Sequence, residues 1–131
     1  MIFHTFSTQD ERRNFGGSAF MEIQFCKLPA GTKIKKLVSV HSINHWQNDS
    51  LYLHMDDMEK FYQEYSAIFD CGIYNNLESG VVDLYGINYY GLLLINACIE
   101  KLCNEKPTDY ESLVEWLNKA KQYNGFYILG I

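Results

Sequence analysis

Apolar and polar residues alternate from Ala19 to Phe25. Ala19, Met21, Ile23 and Phe25 fall on one side, with Glu22 and Gln24 on the other, the period-two pattern of a half-buried strand. Phe3–Phe6 and Leu51–His54 read as short strands, and residues 33–43, with Ile34, Val38, Val40 and Ile43 among three lysines, as a less regular one. Between them, residues 7–17 are polar and end in Gly16-Gly17, a loop signature, and Pro29-Ala30-Gly31 marks a turn. The period then changes. Met58, Phe61, Tyr62, Tyr65, Ile68 and Phe69 recur every three or four residues behind Asp56 and Glu59, which predicts an amphipathic helix with a capping box, ended by Gly72. Residues 75–80 are polar, and Val81–Tyr85 has strand character. Asn88 is placed to cap a second helix running to Asn104. Leu92, Leu93, Ile95, Ile99 and Leu102 make it apolar almost all round, so it is expected to be the central, buried one. Pro107-Thr108 opens a third helix with Glu111 completing a capping box, inner face Leu113, Val114, Leu117 and Ala120, and a stop at Asn124-Gly125. Phe126–Leu129, apolar throughout, reads as a strand central in a sheet. The order predicts an α+β fold in one domain over residues 1–131: a mixed or mostly antiparallel sheet with about three helices packed on it.

Composition narrows the function classes. The chain has 131 residues, 47% of them hydrophobic and 21% charged, which suits one globular domain rather than a disordered segment. The longest strongly apolar run, Leu92–Ile95, ends at Asn96, so no membrane span is predicted, and the first residues lack a signal-peptide pattern. Cys26, Cys71, Cys98 and Cys103 lack zinc-ribbon spacing and read as reduced thiols of a cytoplasmic protein. A net charge of -5 argues against a nucleic-acid ligand.

Catalytic chemistry finds little support. His41 and His45 are four apart, but they fall on a predicted strand and loop with no HExxH, so no metal is expected. Cys98 and Cys103 point to different faces of a helix, and Cys71 lies at a helix carboxyl end, where a thiolate is not favoured. No GxSxG, GxGxxG or Walker pattern occurs, and no cofactor is expected.

The charges are unevenly placed. Residues 1–40 hold six basic residues against three acidic ones, and the rest five against thirteen. Asp49–Asp83 carries eight acids and one base, Lys60, among and beside Tyr52, Tyr74, Tyr85, Tyr89 and Tyr90. Carboxylates interleaved with tyrosines can receive a basic protein, the charges steering encounter and the rings anchoring it. The plainer account is a solvated acidic face that keeps the chain soluble. The residues singled out for contact are Asp56, Asp57, Glu64, Asp70, Glu78 and Asp83 for charge and Tyr85 and Tyr89 as anchors.

In this character, and in the segments Gly72–Leu77 and Val82–Tyr90, the chain resembles bacterial immunity proteins of the contact-dependent growth inhibition and polymorphic-toxin type. The resemblance implies a monomer in a one-to-one complex with a cognate basic toxin domain. A nuclease is the natural case, because its groove must hold phosphates and carboxylates can occupy it. A different class of reading is a small enzyme or small-molecule binder with a pocket between sheet and helices, for which His41, His45, His54 and Cys71 are the polar candidates. A third is an assembly subunit that associates through its aromatic surface.

Overall fold

Phe126–Leu129 is an inner strand of the sheet in the computed structural model, which describes residues 1–17 and 19–131. The described residues form strands β1 (Phe20–Phe25), β2 (Leu51–His54), β3 (Gly72–Tyr74), β4 (Ser79–Gly80), β5 (Ile87–Tyr90) and β6 (Phe126–Leu129). They also form helices α1 (Gln9–Gly16), α2 (Ile34–Leu37), α3 (Met58–Tyr65), α4 (Ile95–Glu105) and α5 (Tyr110–Ala120). The strands make one sheet in the order β2-β1-β6-β5-β3-β4, with every neighbouring pair antiparallel. The class is therefore α+β, as the element order predicts. Ile23 sits between Leu51 and Ile128, so β2, β1 and β6 present an apolar row to one face, which Asn88 continues on β5.

That face carries the main core. Met21, Ile23, Phe25, Tyr90, Phe126 and Ile128 pack against Phe61 and Tyr65 of α3, Cys98 and Leu102 of α4, and Leu113, Trp116 and Leu117 of α5. Phe25 stacks on Trp116 at 4.1 Å and Tyr90 on Phe126 at 4.9 Å. The Trp116 indole donates to the Asp49 carbonyl at 2.9 Å, so its polar edge is satisfied where the ring enters the core. Gly125 takes φ +89, and a Cβ there would stand 2.2 Å from the Tyr90 carbonyl, so the turn into β6 requires glycine.

Several elements differ from the sequence expectation. Residues 7–17 hold α1 rather than a loop. Thr8 caps it by accepting from the Glu11 N–H at 3.1 Å, while Glu11 accepts from the Ser7 N–H at 3.2 Å. Residues 33–43 are not a strand but α2 and a 3₁₀ turn at Val40–Ser42, which lay Leu37 and Val38 against Tyr89 and Tyr127 on the second face of the sheet. Near Phe3–Phe6 the pairing is a single bridge, His4 to Tyr52. Val81–Tyr85 is irregular, and Asn88 is a residue of β5, its side chain needed for hydrogen bonds rather than for a cap. Helix α4 follows a 3₁₀ turn at Leu92–Leu94 where Leu93 is 94% exposed, so it is buried on one side only. Gly72 opens β3 and does not end α3, and α3 starts from a 3₁₀ turn at Met55–Asp57 without a side-chain cap from Asp56. Thr108 does not cap α5; Asp109 precedes that helix at φ +62 and accepts from the Ile2 and Phe3 N–H groups, tying down the amino-terminal segment.

Every residue of β1 is buried, including Glu22 and Gln24, because the second face is covered as well. The alternation predicted one wet side. Residues 33–47 and α1 close most of that side instead.

Candidate functional site

The loop 81–86 is built around Asn88. Its amide oxygen accepts from the Asp83 N–H at 2.8 Å, and its NH₂ donates to the Asp83 carbonyl at 2.8 Å and the Ile128 carbonyl at 2.9 Å. The Asp83 carboxylate accepts from the Tyr85 N–H at 2.9 Å. Past the end of β6, the Gly130 N–H donates to the Gly86 carbonyl and the Ile131 N–H to the Leu84 carbonyl. A Cβ on Gly130 would lie 2.3 Å from the Leu84 oxygen, so glycine lets the loop lie directly on the strand end. The result is a Tyr85 ring that is 76% exposed on a backbone held from both sides.

Tyr85 and Leu84 face the start of α3 across a groove of about 470 Å³, whose other walls are Met55, Met58, Glu59, Tyr62 and Gln63. Met55, Tyr62 and Tyr85 are exposed apolar residues on one surface. Asp56 and Asp57 lie in the turn between two of the lining methionines, and Asp83 supports Tyr85 from below. Of the eight residues singled out from the sequence, Tyr85 lines the groove, while Asp56, Asp57 and Asp83 adjoin its lining residues, the Asp56 carboxylate facing His54 Nδ1 at 3.4 Å.

The other four do neither. Tyr89 is 5% exposed, packs on Tyr127 in the second core and donates to the Asn124 carbonyl, so it offers no surface ring. Burial pushes its phenol up to about 12. Glu64 receives the Thr108 N–H and hydroxyl at 2.8 and 2.9 Å; these bonds hold its carboxyl below the usual range and make it a tie between α3 and the start of α5. Asp70 faces Lys101 at 3.6 Å, which offsets its charge. Glu78 is exposed in the β3–β4 turn, away from the groove-lining residues. Sequence inspection missed Met55, Glu59 and Tyr62 as groove residues; the helical stripe placed Tyr62 with the core, yet it sits at the edge of that stripe and is exposed.

A second concavity of about 570 Å³ lies on the second face of the sheet, and Tyr85 stands on its rim too. Arg12, Glu22 and His45 line it, with apolar walls from Phe20, Ile43, Ile87 and Leu129. Of the polar residues named for a pocket, only His45 is there. His54 is engaged at both ring nitrogens, accepting from the Asp56 N–H at 3.1 Å and facing the Gly16 carbonyl at 3.3 Å. His41 is exposed on the Val40–Ser42 turn. The Cys71 thiol is raised by burial and by Asp70 beside it, the opposite of an activated thiolate. Arg12 and Glu22 escaped notice because one lies in a polar segment with no apolar stripe and the other on the side of β1 assigned to water.

Among the described residues, no three histidine, cysteine or acidic side chains come together as a metal ion would need. Nor is any helix of the described residues long and apolar enough to cross a membrane. Comparison with known proteins yields no family model, no curated protein and no solved structure that matches this chain.

Proposed function

We propose that the chain is an inhibitor of the immunity type, which seats its Tyr85 groove on a basic toxin domain and blocks that domain's nucleic-acid site. The observation that carries this reading is the Tyr85 loop. An exposed tyrosine on a backbone fixed by Asn88, Asp83 and Gly130 loses little freedom on binding, which is the condition for an interface anchor. Met55 and Tyr62 extend its contact area, and Asp56, Asp57 and Glu59 supply negative charge in the adjoining turn and first helical turn. Such carboxylates steer a cationic partner and stand where its phosphate ligands would.

The test co-expresses this chain with the polypeptide encoded by the adjacent gene and assays that polypeptide for nuclease activity. One equivalent of the chain is expected to abolish its nuclease activity. Tyr85→Ala is expected to weaken the complex by about a hundredfold, the loss of an anchor worth ~2–3 kcal/mol. Asp56→Lys with Glu59→Lys is expected to slow association at low salt with little change in dissociation. Full inhibition by a folded Tyr85→Ala, Met55→Ala double variant would remove the groove from the interface. Undiminished toxin activity in the presence of the wild-type chain would remove the reading itself.

A further inference from the structure

We propose that the cavity on the second face of the sheet binds a free amino acid with an apolar side chain, its carboxylate held by Arg12 and its ammonium by Glu22. Arg12 is 9% exposed, lines the cavity, and its Nε has no hydrogen-bond partner. Its guanidinium lies over the Trp46 and Tyr52 rings at 5.4 and 5.6 Å, which holds the plane in place but leaves its N–H donors without a protein acceptor among the described residues. A buried guanidinium in that state is short of an anion.

Glu22, across the same cavity, is in the complementary condition. The Ser50 hydroxyl (2.6 Å) and the Gln24 amide (2.9 Å) donate to Oε2; the Tyr52 hydroxyl, whose proton goes to the Gln47 carbonyl at 2.6 Å, lies 3.2 Å from it, and no described residue donates to Oε1. Burial raises the carboxyl above its ordinary 4.5, and Arg12 offsets this only weakly. No ion pair joins the two residues among those described. The cavity therefore presents one charge of each sign, anchored but not neutralised by the other. A monoanion would leave Glu22 uncompensated, and a dianion would add repulsion. A zwitterion with its two charges on one carbon satisfies both walls and keeps the site neutral. The remaining walls, Phe20, Ile43, Ile87 and Leu129, are apolar and suit a hydrocarbon or aromatic side chain.

The experiment is calorimetric titration of the full chain with L-phenylalanine and L-leucine, beside 3-phenylpropanoate, which lacks the ammonium, and 2-phenylethylamine, which lacks the carboxylate. At least one amino acid is expected to bind at one site, and both analogues about tenfold or more weakly, the loss of one charge-assisted contact each. Arg12→Gln is expected to abolish binding. Because that residue is buried, Val40→Trp provides a second variant: Val40 lines the cavity from an exposed turn, so the larger ring obstructs the space without entering the core. Loss of binding in folded Val40→Trp supports the assignment. No binding of either amino acid, retention of affinity in Val40→Trp, or equal affinity for 3-phenylpropanoate overturns it.

Discussion

The two faces of the sheet solve the same problem differently. The face under α3, α4 and α5 is closed by long apolar side chains that meet ring on ring, and its one indole N–H reaches a backbone carbonyl. The opposite face carries Glu22, Gln24, Ser50 and Tyr127, all buried, under α1, α2 and irregular chain. There the polar groups answer one another: Gln24 bridges Glu22 to the Asn44 carbonyl, and the Tyr127 hydroxyl donates to the Leu37 carbonyl at 2.7 Å. Packing of the first kind is mostly non-directional, and the Tyr90 hydroxyl is buried there without a partner. Packing of the second kind is directional, and beside a cavity lined by both residues it leaves Arg12 Nε without a partner and no ion pair between Arg12 and Glu22 among the described residues.

The contrast can be broken most forcefully on the helix face. Phe61→Ala, at a fully buried position in the aromatic stack with Tyr65, is expected to lower stability by about 3–5 kcal/mol through lost transfer energy and a residual cavity. Chemical denaturation would register this as a lower midpoint, and a loss below about 1 kcal/mol would mean the site collapses around the gap. Asn88→Ala, at the polar residue in the same cross-strand row as Ile23 and Ile128, is expected to cost about 1–3 kcal/mol by orphaning the groups it serves at Asp83 and Ile128. It should also loosen Tyr85, seen as faster amide exchange across residues 83–86, whereas Phe61→Ala should leave that loop's relative protection unchanged.

Smaller effects sharpen the comparison through pH. Glu22 has a raised carboxyl pKa in the fold, so the folded state holds more protons than the unfolded chain above pH 4.5. Its influence is thus to lower stability as pH rises from 4.5 through the folded value, and Glu22→Gln should flatten that part of the profile. Glu64 has the opposite sign. Its lowered pKa contributes stability that is present above pH 4.5 and is lost as pH falls through the folded value, so Glu64→Gln should remove acid sensitivity at the low end. Thermal unfolding across pH checks both, and like slopes for the two variants would contradict these environments. The smallest change is expected for Tyr85→Ala, within about 0.5 kcal/mol, because its exposed ring is not part of either core. A large loss of stability there would make Tyr85 a structural residue and not an anchor.

The helix face was legible in the sequence because its periodicity is a direct record of one-sided burial. The stripe Met58, Phe61, Tyr65 and the inner face Leu113, Leu117, Ala120 needed no knowledge of what they pack against. Phe126–Leu129 was likewise recognisable as an inner strand from its unbroken apolar run. The candidate groove was half legible: Asp56, Asp57, Asp83 and Tyr85 were identified as a composition of acids and tyrosine, without the fact that they adjoin one groove. Tyr89 and Glu64 could not be separated from them. A tyrosine's exposure and a glutamate's engagement with Thr108 depend on residues far along the chain.

What the residues determine locally is therefore the set of amphipathic segments, the turn glycine at 125 and the α+β class. Those follow from side-chain period, backbone sterics and capping, each acting within a few positions. What only the tertiary structure decided is the second face. The irregular segment 33–47 and the polar helix α1 carry no period that announces a binding partner, so nothing local says they will cover β1. Yet their doing so buries Glu22, brings Arg12 beside Trp46 and Tyr52, and encloses the cavity. Burial of a charge is a property of its surroundings and not of its neighbours in sequence, which is why the groups of greatest chemical interest lay where the pattern predicted water.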